Sequence, residues 1–154
     1  MRLEGVAATE ALAGRLAERC SPGQVVALRG PLGAGKTTFV QAYARALGVR
    51  EAVTSPTFTL VHRYACGPDA AVSVLLHVDL WRVERSEELA DLALDEDLDA
   101  GASAIVEWAD RFDVASGRPT IDVELVVLDD DVREASIGSR GGPPGPGRHL
   151  DRST

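Results

Sequence analysis

Residues 30–37 read G-P-L-G-A-G-K-T, a complete match to G-x-x-x-x-G-K-[ST], and no other feature of the chain restricts its fold so strongly. The pattern works where a buried strand runs into a glycine turn and a helix starts directly after it. Only then do the loop N–H groups and the positive end of the helix face one point. The flanks meet that requirement. Residues 24–29, Q-V-V-A-L-R, form the short apolar run of a buried strand, and Phe39, Val40, Tyr43 and Leu47 follow at helical spacing until Gly48. A loop so placed holds the phosphates of a nucleoside triphosphate, most naturally ATP with Mg2+. Gly33, Ala34 and Gly35 offer backbone N–H groups, Lys36 reaches the β and γ phosphates, Thr37 ligates the metal, and Thr38 joins them in binding the nucleotide. The bland alternative is a glycine-rich turn.

Composition sharpens this reading at one position. Of the 16 basic residues, Lys36 is the only lysine, so an otherwise Arg-using chain keeps a compact ammonium inside the glycine loop, where a planar guanidinium fits poorly. The formal charge of −8 and the lack of a basic stripe argue against tight unaided binding to nucleic acid. No run approaches the roughly 18 apolar residues of a membrane span. Arg2, Glu4 and Glu10 occupy the place of a signal peptide's apolar region, so a cytoplasmic protein without membrane association is expected. Cys20 and Cys66 lack metal-site spacing and read as small hydrophobes without a disulfide.

The remaining pattern predicts one domain over residues 1–138, with the Gly- and Pro-rich residues 139–154 as a disordered tail. Thr9 is expected to cap a helix reaching Cys20, with Leu12 and Leu16 on its buried face. Residues 58–64 and 72–79 alternate and suggest a hairpin. Ser86 is expected to cap a short helix carrying Leu89 and Leu92. Residues 104–108 read as a buried strand, and residues 121–128 and 133–137 as neighbouring strands.

A phosphate loop needs carboxylates beside it before it can hydrolyse anything, and two strand ends supply them. V-L-L-H-V-D ends at Asp79 and A-I-V-E-W contains Glu107; either acid can hold a metal or arrange water, and either can be a solvated carboxylate at a strand end. The Thr54-Ser55-Pro56-Thr57 loop suits a sensor of the γ-phosphate, and equally an ordinary Ser-Pro turn. His77 shares a strand face with Asp79 by alternation, which fits a site residue or a satisfied core histidine. Trp81 and Trp108 read as core or interface residues rather than base-stacking platforms.

Taken in order, G-P-L-G-A-G-K-T-T, S-P-T-F-T-L-V-H-R-Y, H-V-D-L-W-R and I-V-E-W resemble the TsaE family of bacterial P-loop ATPases, formerly called YjeE. The resemblance covers roughly residues 9–112 and, more weakly, the last strands. It implies a three-layer α/β P-loop NTPase fold with a mixed parallel and antiparallel central sheet. It also implies a role in forming threonylcarbamoyladenosine in tRNA, with ATP hydrolysis in partnership with the TsaD and TsaB proteins and with tRNA met only through that complex. On that resemblance Thr37 and Glu107 hold magnesium, Asp79 is the Walker-B-like acid, residues 55–58 with Thr57 sense the γ-phosphate, and Thr9 and Arg133 lie near the nucleotide. Trp81 stands where the family usually has Tyr.

Two other functions share the loop. A small-molecule or nucleotide kinase would usually need an Arg-rich lid, for which Arg82 and Arg85 are too few. A nucleotide-dependent binding module would use bound ATP to order residues 55–64 for a partner, with incidental turnover. A GTPase is disfavoured because the chain contains no Asn for an N-K-x-D loop.

Overall fold

A computed structural model describes residues 1–56, 60–90, 92–115 and 117–141. The described chain runs β1 (Arg2–Glu4), α1 (Gly5–Ala17), β2 (Val25–Arg29), α2 (Lys36–Ala46), β3 (Val61–Ala65), β4 (Val74–Asp79), α3 (Glu87–Ala90), α4 (Leu94–Asp99), β5 (Ser103–Glu107), β6 (Thr120–Asp129) and β7 (Val132–Arg140). Its strands form one sheet in the order β1-β7-β6-β2-β5-β4-β3. Strands β6, β2, β5 and β4 are parallel, while β3 runs against β4, β7 against β6 and β1 against β7. This is a three-layer α/β P-loop NTPase fold with a mixed sheet.

Alternation along the parallel strands divides the core. Val26, Leu28, Leu75, Ile105, Val123 and Leu125 turn to the face covered by α1 and α2, where Phe39, Val40 and Tyr43 of α2 are fully buried. Val25, Ala27, Leu76, Val78, Ala104 and Val106 turn to the other face, against Leu94 and Leu98 of α4 and against Leu80 and Val83. Central strands sealed on both faces read as continuous apolar runs rather than as alternating ones. That explains why Q-V-V-A-L-R was legible as a buried strand.

The boundaries differ from expectation in several places. The first helix begins at Gly5 with Glu4 as its N-cap, so Thr9 is not a cap but a buried residue inside α1. The cause is β1, which pairs with β7 (Leu3 opposite Arg133); Gly5, at φ 77, turns the chain straight from that strand into the helix. Three residues are too short to show a strand period, so β1 was invisible in sequence. The acidic run 94–99 forms α4, which was also missed. Ser139 and Arg140, expected in the tail, are ladder residues opposite Ile121 and Thr120; Gly141 follows them, and residues 142–154 of that expected tail lie outside the described residues. The hairpin forms as β3 and β4, and its expected start at residue 58 also lies outside them. Cys20 and Cys66 are free, the first buried and the second half-buried. Among the described residues no helix is long and apolar enough to cross a membrane.

Candidate functional site

The parallel strands β2, β5 and β4 all end at one edge of the sheet, and the last residues of β5 and β4 face the same layer as α2. Gly30 follows β2, Glu107 ends β5, and Asp79 ends β4 directly opposite Glu107 in the ladder. Crevices outside the carboxyl ends of such strands are where open α/β sheets bind ligands. Here the crevice is a cleft of about 410 Å³ lined by Leu32, Gly33, Gly35, Lys36, Thr37, Thr38, Ser55, Asp79, Trp81, Glu107 and Trp108.

Two glycines make the loop. Gly30, at φ 148, passes so close to β6 that a Cβ would meet the carbonyl oxygen of Leu125. Gly35 takes φ 100 as the residue before α2, a conformation that L side chains rarely adopt. The positive end of α2 is therefore turned to the cleft, which Gly33, Gly35, Lys36, Thr37 and Thr38 line, while the Ala34 N–H donates to Pro31 O at 3.1 Å.

Lys36 is buried. Its Nζ donates to the carbonyl oxygens of Gly30 at 2.6 Å and Pro31 at 3.0 Å and sits 3.8 Å from the centroid of the Trp108 ring. Burial lowers its pKa even though Glu107, Asp110 and Asp79 pull the other way. The Thr37 hydroxyl is exposed to the cleft, 3.4 Å from Glu107 Oε1 and 3.5 Å from Ser55 Oγ. Glu107 itself is buried, and its Oε2 lies 2.7 Å from Nε2 of the fully buried His77. Burial raises the Asp79 pKa, and the nearby Glu107 adds to that. The Trp81 N–H donated to Asp79 Oδ1 at 2.9 Å opposes the rise.

On the other side of the loop lies a second cleft, of about 150 Å³, lined by Gly5, Val6, Thr9, Gly33, Ala34, Gly35, Thr38, Asp130, Asp131 and Arg133. Arg133 ties the β6–β7 turn to the loop: one guanidinium nitrogen donates to the Asp129 and Asp130 carbonyls and the other to Gly33 O at 3.2 Å. The fold thus brings Lys36, Thr37, Thr38, Asp79 and Glu107 to one cleft and Thr9 and Arg133 to its neighbour. Gly33 and Gly35 line both clefts, and Ala34 lines the second. Thr57 lies outside the described residues.

The tryptophans, expected as core or interface residues, also reach the site, and Trp108 packs against the core as it does so. Trp81 is more than half exposed, and its ring centroid is 4.5 Å from that of Trp108; both line the main cleft. Trp108 takes φ 58, so the chain leaves β5 in a left-handed turn that swings the indole over Lys36, and no local pattern signals such a turn. A bulky residue held there stores strain of the kind found at functional sites. The second cleft was visible only through family resemblance, because Gly5, Asp130 and Asp131 come from opposite ends of the chain.

The donors fit a hard divalent cation. Thr37, Ser55, Asp79 and Glu107 offer oxygen alone, and Mg2+ is normally bound by one or two carboxylates together with substrate phosphates rather than by an all-protein cage. Among the described residues no group of three or more His, Cys, Asp or Glu forms such a cage.

The sheet, the loop and the acid-bearing strand ends define a P-loop NTPase-fold protein. Comparison with known proteins narrows the class. Residues 3–135 match the family model of the threonylcarbamoyl adenosine biosynthesis protein TsaE. The chain is 37% identical over 133 residues to the tRNA threonylcarbamoyladenosine biosynthesis protein TsaE of Bacillus subtilis, covering 86% of this chain and 80% of that protein. It is 40% identical over 138 residues to the protein of the same name from Aquifex aeolicus, covering 88% and 92%. The crystal structure of Bacillus subtilis YdiB superposes with a TM-score of 0.69 at 30% identity, covering 92% of this chain and 84% of that one. This chain belongs to the TsaE family.

Proposed function

We propose that this protein binds ATP with magnesium and hydrolyses it in support of the threonylcarbamoyladenosine modification of tRNA, acting with the TsaD–TsaB pair. The observation that carries the hydrolytic part is the meeting of Thr37 with Glu107 at 3.4 Å, beside Asp79 and at the N-terminus of the helix that follows the glycine loop. The place in tRNA modification and the partners rest on family membership. Contact with tRNA through the complex, rather than directly, agrees with the net charge of −8.

In this reading Gly33, Ala34 and Gly35 cradle the phosphates with backbone N–H groups. Lys36 leaves the Gly30 and Pro31 carbonyls for the β and γ phosphates, exchanging neutral acceptors for anionic ones. Thr37 and Glu107 would hold the cation, and Asp79 would join them or orient the attacking water. A bound magnesium neutralises charge developing on the phosphoryl oxygens. Thr9 and Arg133 line the nucleoside side, with Thr38 between the two clefts. Ser55 meets the γ-phosphate end, and family resemblance gives Thr57 the same role. The protein alone is a slow ATPase, and the partner pair accelerates it.

The test separates binding from chemistry. Asp79→Ala and Glu107→Ala should keep ATP affinity, measured by calorimetry, within about tenfold, or about 1.4 kcal/mol. Both should lose most phosphate release, with or without TsaD–TsaB. Wild-type turnover in both variants in the presence of the partners would overturn the catalytic assignment. A wild type that is fast alone would overturn partner activation.

A further inference from the structure

A carboxylate at the end of a long side chain has a broad terminal torsion, so a Glu that must present one oxygen to a cation needs something to hold the other. In this chain the neighbouring strand supplies it. His77 and Asp79 are two apart on β4 and share the face that turns toward α2, and Asp79 stands opposite Glu107. His77 is fully buried, with Nε2 2.7 Å from Glu107 Oε2. The other oxygen, Oε1, is the one 3.4 Å from the Thr37 hydroxyl.

The chemistry of the pair assigns the proton. An ionised carboxylate only accepts, so Nε2–H donates. The other ring nitrogen, Nδ1, is buried without a partner among the described residues. The ring is thus held through Nε2. An apolar side chain of similar volume beside Leu75 and Ile105, which are fully buried on the same face, would fill this space without orphaning a nitrogen. Among the described residues the ring's one hydrogen bond goes to Glu107.

We propose that His77 is a positioning residue: by occupying Oε2 of Glu107 from the adjacent strand, it turns Oε1 toward Thr37, where the divalent cation accompanying the triphosphate is held. This rests on the ATP and magnesium reading given above. Hydrogen-bonded partners of ligating carboxylates orient them and tune the metal's affinity, and their loss typically costs about 10–100-fold.

Paramagnetic Mn2+ serves as the probe, titrated into the full-length protein saturated with a slowly hydrolysed ATP analogue, with free Mn2+ read by electron paramagnetic resonance. His77→Leu removes the donor. His77→Gln carries an amide N–H about as far out as Nε2, whereas His77→Asn reaches only as far as Nδ1. The expected result is Mn2+ binding weakened about tenfold or more in His77→Leu and His77→Asn, a loss typical of removing such a partner, with His77→Gln close to wild type. All three should bind the analogue in EDTA as wild type does. The Gln and Asn variants are both polar and similar in size, so a shared packing cost cancels between them even if His77→Leu folds poorly. Equal Mn2+ affinity in Gln and Asn variants, or wild-type affinity in Leu, overturns the positioning role while the nucleotide reading stands. A wild-type complex that binds no Mn2+ overturns both together.

Discussion

Gly30→Ala tests whether the loop owes its shape to one close approach. The added methyl would run into the Leu125 carbonyl oxygen and stand 3.3 Å from Ala34 Cβ. Leu125 O belongs to the backbone of β6 in the middle of its pairing with β7, so it cannot rotate aside as a side-chain end would. Holding an L-residue at φ 148 adds strain of about 1–3 kcal/mol, and overpacking adds about 1–3 kcal/mol. The middle of the summed range, about 4 kcal/mol, corresponds to a fall in melting temperature of roughly 10 °C for a chain of this size. Two other glycines calibrate the measurement. Gly33, at φ 81 with nothing within 4 Å, bears only the left-handed penalty, about 1–2 kcal/mol. Gly14 lies inside α1 with open space around it, and Ala there should stabilise by about 0.5–1 kcal/mol. Thermal and urea unfolding should therefore rank Gly14→Ala above wild type, then Gly33→Ala, then Gly30→Ala. A Gly30→Ala protein as stable as Gly33→Ala would refute the argument from close approach.

Lys36→Ala should abolish most ATP affinity by calorimetry, and Lys36→Arg nearly as much, because a guanidinium cannot occupy the buried space between Gly30 O, Pro31 O and the Trp108 ring. Since Lys36 lies over Trp108, ATP should change indole emission, and Trp108→Phe should remove most of that change. Burial alone would raise the Asp122 pKa, but hydrogen bonds from Arg29 and Arg140 outweigh it and hold the carboxyl below its usual range. The stability it lends is present above the unfolded carboxylate pKa and is lost as pH falls through the lower native one. Asp122→Asn should then cost about 1 kcal/mol at neutral pH and flatten the acid limb of the stability profile. A chain ended after Gly138 loses the last β7 pairs and the Arg140–Asp122 bond, and should melt several degrees below one ended after Gly141.

By itself the sequence determined the features that depend on neighbours along the chain. The strand, glycine turn and helix around residues 30–37 were legible because backbone shape there follows from Gly and from local apolar period. The two acid-bearing strand ends were legible too, since a run closing in a carboxylate marks where a buried strand reaches solvent. What tertiary structure alone decided depends on strand order. The placement of β5 between β2 and β4 sets Glu107 opposite Asp79 and beside Thr37. The pairing of β1 with β7 carries the start of α1, and so Thr9, to the loop's far side near Arg133. The left-handed turn at Trp108 lays an indole that packs against the core over Lys36 as well. Ladder neighbours lie about 5 Å apart in space whatever their distance along the chain, and no period within one segment records which segment will lie beside it.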